Sequence, residues 1–394
     1  MRVVSIAKRT KRVRAIDESP PVRNRHALIA ERLGAWFETA KRDLPWRKTK
    51  DPYAIWLSEV MLQQTRVATV LDYFPRFLDR FPTVKALAEA DTEEVLGAWS
   101  GLGYYRRARA LQLGAREVLA RYGGELPDDA AELRSVPGIG PYTAGAIASI
   151  AFGKREPLVD GNVARVFARL FGLDFDVRST RGLRELWKLA ADLVPEKEPG
   201  RHNEALMELG ATICLPGEPK CSQCPLHSEC VAAKTGRQKE LPVLAKKKAP
   251  PVVPMVALLA YRDGEVLLGQ RGPTGLFAKM WEPPMFEASG EPGEALGALL
   301  GELRDAHEVG EIRHVLSHRE LHVRVIAAEV GAELPEARAP YVRFAWVGAE
   351  ELSGRGVSTL ARKVMAASRQ GVKTAKGLEG AAKARRRKGI DVFE

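Results

Sequence analysis

Apolar positions recur at three- and four-residue spacing through most of the first 235 residues. The spacing predicts helices over 27–40, 52–73, 104–121, 139–152, 162–171 and 203–212. Asp51-Pro52 supplies an N-cap followed by proline at the first helical position. Gly123-Gly124, Pro137-Gly138 and Pro216-Gly217 interrupt the pattern. No two-residue alternation stands out in this half, so 26–235 reads as one all-α domain. The pattern changes after a basic, proline-containing stretch at 236–252, which has the composition of a linker. Two apolar runs flank Asp263-Gly264, a strong hairpin signal. A second hairpin is expected within 312–331, a strand at 341–347 and a helix at 358–368. Residues 253–368 therefore read as a smaller α+β domain.

Charge sharpens this division. The 394-residue chain carries 61 Lys and Arg against 50 Asp and Glu, a formal net charge of +11. The surplus falls in the 1–25 segment, the linker and the 369–394 segment, while the two folded regions together are slightly acidic. Both ends read as solvated basic tails with weak phosphate affinity. The first segment lacks the apolar stretch of a secretory signal, although its Arg-rich, acid-poor composition is compatible with an organelle transit segment. No apolar run approaches the roughly 18 residues of a membrane span. With 45% hydrophobic residues the chain can bury real cores, which excludes a disordered or collagen-like protein.

All four cysteines fall between positions 214 and 230: Cys214, Cys221, Cys224 and Cys230, spaced C-x6-C-x2-C-x5-C. So many thiols in one short segment point to a bound cation rather than to a disulfide framework. Structural zinc and a [4Fe-4S] cluster both use four thiolates. A single C-x-x-C pair, where structural zinc typically has two, leans toward iron–sulfur.

Pro137-Gly138-Ile139-Gly140 is a tight turn opening a helix. Gly138 and Gly140 would let backbone N–H groups approach a phosphate closely. An ordinary helix–turn–helix corner has the same pattern. Two carboxylates attract attention. Glu59 is expected mid-helix beside Ile55, Trp56, Leu62 and Gln63. Apolar neighbours of that kind raise the pKa of a general acid, whereas a partly exposed surface Glu would have no such role. Asp160 precedes Val163, Val166, Phe167 and Leu170, which suits a helix N-cap as well as a site residue.

These segments together resemble a known family. Leu44 to Arg47 (LPWR), Trp56 to Arg66 (WLSEVMLQQTR), Gly101 to Arg106 (GLGYYR), the hairpin, Val159 to Val163 (VDGNV) and the cysteine loop are similar to MutY-type adenine DNA glycosylases of the endonuclease-III-like superfamily. The resemblance implies an all-α helix–hairpin–helix glycosylase domain with a [4Fe-4S] loop at 214–230. It implies removal of adenine mispaired with 8-oxoguanine or guanine in double-stranded DNA, after the nucleotide is flipped from the stack. Glu59 matches the family's catalytic glutamate, which protonates adenine N7 and assists water. Asp160 matches the aspartate that stabilises the oxocarbenium-like sugar, a division of roles familiar from retaining glycosidases. Tyr142, Asn162 and Glu204 match polar residues lining that site. Lyase members carry lysine where Tyr142 stands, and a phenol cannot form a Schiff base. A monofunctional enzyme is therefore implied. Gln64 and Tyr104 match residues that wedge into the duplex, with Leu62 and Thr65 on the same surface and Arg47 near phosphate or pocket. Tyr104 alone could equally be a half-buried core residue. Arg106, Arg107 and Arg109 read as a solvated face.

In the second domain, LLGQR (267–271) and WEPP (281–284) resemble the Nudix fold, specifically the MutT-like C-terminal domain of the same glycosylases. Residues 287–312 lack the Arg-Glu-x-x-Glu-Glu run that would hold Mg²⁺, so recognition is expected rather than hydrolysis. Leu316-Ser317-His318 matches the family's Phe-Ser-His loop that reads 8-oxoguanine, with Ser317 and His318 as lesion contacts and Leu316 replacing the aromatic. The implied protein is a monomer, DNA-associated in a bacterial cytoplasm, without membrane attachment. An endonuclease-III-type glycosylase/lyase and a non-catalytic iron–sulfur DNA-binding protein are the alternatives.

Overall fold

The computed structural model describes residues 20–245, 249–287, 296, 303–331, 333–352 and 354–367. The chain order is α1 (Pro20–Ala40), α2 (Pro52–Leu62), α3 (Val67–Arg80), α4 (Val84–Glu89), α5 (Thr92–Ala98), α6 (Arg106–Tyr122), α7 (Ala130–Ser135), α8 (Pro141–Ile150), α9 (Gly161–Phe171), α10 (Thr180–Leu193), α11 (Pro199–Thr212) and α12 (Val231–Thr235). Then come β1 (Val252–Leu259), β2 (Tyr261–Arg262), β3 (Glu265–Arg271), β4 (Trp281–Glu282), β5 (Met285–Glu287), β6 (Arg304–Val315), β7 (Glu320–Glu329), β8 (Tyr341–Val347), α13 (Ala349–Leu352) and α14 (Thr359–Ala366). A helical half is thus followed by an α+β half. The basic segments 1–19 and 369–394 lie outside the described residues, whereas α1 already begins at Pro20, within the stretch read as a tail. Among the described residues no helix is long and apolar enough to cross a membrane.

The helix expected over 52–73 is two helices. It breaks between Leu62 and Val67, where Gln64 takes a left-handed backbone (φ 59°). The apolar spacing runs on across the break because α3 buries Val70, Phe74 and Phe77 with the same periodicity. Neither glutamine nor threonine carries a breaking signal. The Asp51 cap forms as expected, its carboxylate accepting from the Tyr53 amide at 3.0 Å.

The described residues pack as two compact units, one from 20–43 and 145–245, the other from 44–144 and the described part of 249–367. The first holds α1 and α9 to α12. Ile29, Leu33 and Phe37, one turn apart along α1, are all buried. A bidentate ion pair from Arg42 to the fully buried Glu208 of α11 (both 2.7 Å) fixes the end of that segment.

The second unit combines α2 to α7 with the α+β half. One sheet has the order β5-β1-β7-β6, with β1 parallel to β7 and the other pairs antiparallel. The other sheet has β2-β3-β4, with β8 on β3. Strand β1 is buried on both faces: Met255, Ala257 and Leu259 enter one apolar cluster with Leu360 and Val364 of α14, and Val256 and Leu258 enter another. The Asp263-Gly264 hairpin forms with both residues at positive φ (49° and 86°), as a two-residue turn between right-twisted strands requires. The helices dock on the α+β half through specific groups. Tyr105 Oη donates to Val357 O at 2.8 Å, Arg109 Nη1 to Ala278 O at 2.6 Å, and Gln270 Nε2 to Glu93 Oε1 at 2.6 Å. A Cβ on Gly97 would stand 2.3 Å from Gly354 O, so only glycine permits this approach.

Candidate functional site

Helix α2 is buried from Tyr53 to Met61, so it carries no solvated face. Glu59 lies within it, 5% exposed, which excludes a surface glutamate. Holding a carboxylate there requires hydrogen bonds. One comes from Tyr142 Oη of α8, which donates to Glu59 Oε2. Tyr142 follows the hairpin directly. Gly138 has φ 84°, and a Cβ there would meet Ala110 at 3.0 Å, so the turn needs glycine on both counts. Gly140 has no such constraint; it is exposed, with open space where a Cβ would stand. Among the described residues the amides of Gly138 and Gly140 make no hydrogen bond within the protein, leaving donors at the N-terminus of α8.

The other carboxylate belongs to the first unit. Asp160 is the N-cap of α9, and the cap uses only one of its two oxygens. Its Oδ1 accepts from the Val163 amide at 2.7 Å, and its Oδ2 accepts from Asn162 Nδ2 at 2.9 Å. Burial raises its pKa, while the Val163 and Asn162 hydrogen bonds and nearby Arg165 work in the opposite direction. Arg165 Nη2 donates to Asn162 Oδ1 (2.8 Å) and to Gly210 O (2.8 Å), and its Nε donates to Cys214 O (2.7 Å). One side chain therefore ties the first cysteine to the amide that holds Asp160. Glu204 is half-buried in α11.

The four cysteines line a single pocket with Arg169, Ile213, Pro219 and His227. Arg169 Nη1 reaches Cys214 Sγ at 3.4 Å and donates to Leu215 O at 2.7 Å, and its Nε donates to Leu241 O at 3.0 Å. Burial, then repulsion from the other three cysteines, pushes the Cys224 thiol up to about 12. Thiolates crowded there need a compensating cation. No group of three or more His, Cys, Asp or Glu among the described residues is arranged around a single ion.

Gln64 and Tyr104 share an unusual geometry. Both are exposed, and both are non-glycine residues in the left-handed region (φ 59° and 48°). Tyr104 is 49% exposed; the core tyrosine of the pair is Tyr105, at 6%. Thr65 Oγ1 accepts from Arg107 Nη2 at 2.9 Å, and Leu62 closes α2. Arg107 and Arg109 are not a solvated face: both are half-buried and donate to backbone carbonyls, and burial lowers the pKa of each. Arg106 alone of the three is exposed. Sequence reasoning missed Arg107 and Arg165. One signal was present: a cation in the first turn of α6 opposes the helix dipole, so Arg107 needed a use elsewhere. Arg47 is half-buried in the 3-10 turn Pro45–Arg47. In the α+β half, Ser317 and His318 are exposed at the tip between β6 and β7, closed by Leu316 N–H to Arg319 O at 2.8 Å. Leu316 packs its apolar side chain on the domain core.

The second unit thus carries the glycine hairpin turn and the buried Glu59, and the first carries the helix-capping Asp160 and the cysteine loop. Residues 57–191 match the HhH-GPD superfamily of base excision DNA repair proteins, and 255–367 match the NUDIX domain. A thermostable thymine-DNA glycosylase of solved structure is 30% identical with a TM-score of 0.51, covering 54% of this chain and 99% of that one. Human adenine DNA glycosylase is 38% identical over 397 residues, covering 84% of this chain and 72% of the human protein. The rat adenine DNA glycosylase is 38% identical over 396 residues, covering 84% and 76%. The chain belongs to the adenine DNA glycosylase family.

Proposed function

We propose that the protein is a monofunctional glycosylase hydrolysing the N-glycosidic bond of adenine mispaired with 8-oxoguanine or guanine in duplex DNA. The pairing of buried Glu59 with the half-buried Tyr142 carries the reading. Glu59 delivers a proton to adenine N7, the glycosidic electrons leave with the base, and water adds at C1′ while giving up a proton to the Glu59 carboxylate. Tyr142 orients the acid. Asp160, with both oxygens held, faces the developing positive charge on the sugar as a fixed carboxylate, and Asn162 and Glu204 complete the polar lining. The free amides at Gly138 and Gly140 bind a backbone phosphate. Arg47, Leu62, Gln64, Thr65 and Tyr104 meet the duplex at the flipped base, and Ser317 and His318 read the opposite 8-oxoguanine. The Ser317 hydroxyl both donates and accepts, which suits the altered edge of that base.

Cys214, Cys221, Cys224 and Cys230 would hold a [4Fe-4S] cluster. All four cysteines line one pocket, which suits a group held by four thiolates, and the single C-x-x-C pair favours the cluster over zinc. When bound, the cluster supplies a rigid cross-link for the loop that Arg165 connects to Asn162. The reading carries with it a monomeric, DNA-associated enzyme of a bacterial cytoplasm. Duplexes bearing 8-oxoguanine:adenine, guanine:adenine or thymine glycol test it. Adenine release from the first two without strand scission is expected. Release of thymine glycol with strand scission, and no adenine, would favour the glycosylase/lyase alternative.

A further inference from the structure

The guanidinium of Arg107 is the meeting point of two separate segments. Its Nη1 donates to Val60 O at 2.7 Å and Met61 O at 2.8 Å, two of the carbonyls left open at the C-terminus of α2. Its Nη2 donates to Thr65 Oγ1 at 2.9 Å, Gly103 O at 3.2 Å and Leu102 O at 3.3 Å. The same group stacks over Trp99 at 5.4 Å and Tyr104 at 5.6 Å. Among the described residues no carboxylate pairs with it, so its charge is spent on neutral acceptors alone. Those acceptors flank the two exposed left-handed residues: Met61 and Thr65 bracket Gln64, and Leu102 and Gly103 precede Tyr104. Left-handed backbone is unfavourable for both side chains and persists only where the surroundings impose it. A cation on the last carbonyls of α2 stops that helix where the chain must turn out toward Gln64.

The structure assigns to Arg107 the role of a positioning residue that presets Gln64 and Tyr104 as one double wedge before DNA arrives. This rests on the reading of those two residues as the duplex wedge. A lysine cannot reproduce it, because one ammonium cannot fork between the α2 carbonyls and the 102–103 carbonyls while stacking on both rings. Arg107 touches no substrate atom; it acts through the loops it joins.

The experiment uses the full chain with Arg107→Lys and Arg107→Ala. Base extrusion is read from 2-aminopurine placed beside the target adenine, excision from single-turnover release, and fold from thermal melting. Binding to a duplex already carrying an abasic site is measured in parallel, since no base remains to be expelled there. Both variants should slow extrusion about ten- to hundredfold, with abasic-duplex affinity within about threefold and guanidinium ion partly restoring extrusion by Arg107→Ala. Wild-type extrusion by a folded variant would overturn the assignment, as would equal losses in extrusion and abasic binding. If Arg107→Ala does not fold, Arg107→Lys decides by the same two comparisons. Extrusion is scored independently of which base is released, so failure of wild type to excise adenine would reject the proposed activity and leave the clamp separately tested.

Discussion

His202 gives packing in the first unit a measurable consequence. Its ring is 4% exposed in α11, and neither ring nitrogen has a hydrogen-bond partner. Burial lowers its pKa from 6.5 to about 4. The unfolded chain therefore takes up a proton on this ring as the pH falls below 6.5, while the folded chain does so only near pH 4. Protons favour the unfolded state throughout that window, and stability is lost across it, with no further loss below. At about 1.4 kcal/mol per pH unit, His202 alone should remove about 2 kcal/mol by pH 5 and about 3 kcal/mol by pH 4. The assay is urea unfolding followed by circular dichroism from pH 7.5 to 4, on wild type and His202→Leu. Other acid-sensitive groups, including His26 with its own lowered pKa, are common to both proteins and cancel in the difference. The two stability curves should separate progressively in acid, the leucine variant being the more stable. Parallel curves would refute a neutral, unpartnered imidazole in the core.

Tyr142→Phe removes the hydroxyl donor to Glu59 and should slow single-turnover excision about tenfold or more, with duplex affinity nearly unchanged; an unaltered rate would remove Tyr142 from the site. Arg165→Gln breaks the link between Cys214 O and Asn162 and should lower the excision rate more than the affinity, as read from single-turnover and binding curves on one duplex. Iron analysis should find about four irons per chain with a broad band near ~410 nm, and Cys224→Ser should reduce both; one zinc and no colour would contradict the cluster. Ser317→Ala should reduce discrimination between 8-oxoguanine:adenine and guanine:adenine duplexes with little change in rate on the latter, measured by competition.

The helical half and the α+β half were legible because their apolar periods differ, and cap and turn residues were legible because Asp51-Pro52 and Asp263-Gly264 act locally. The break at Gln64 was not. Its cause is a side chain more than forty positions away, Arg107, and no local residue announces it. The same holds for the compact units. Contacts such as Tyr105 to Val357 join segments about 250 residues apart, and no local pattern announces such a pairing. Asp160 illustrates the opposite case. Sequence offered a cap or a site residue as rival readings, and the geometry uses one oxygen for the cap and the other for Asn162.

The account stands most directly on Glu59 as the acid that releases adenine. Single-turnover release from an 8-oxoguanine:adenine duplex, by wild type and by Glu59→Gln at matched duplex saturation, measures it. The amide keeps the shape and the Tyr142 contact but has no proton to give. Adenine release by wild type, falling by three or more orders of magnitude in the variant while binding persists, is the predicted result, at the scale expected when general acid and water activation are lost together. Equal rates for the two proteins would contradict it.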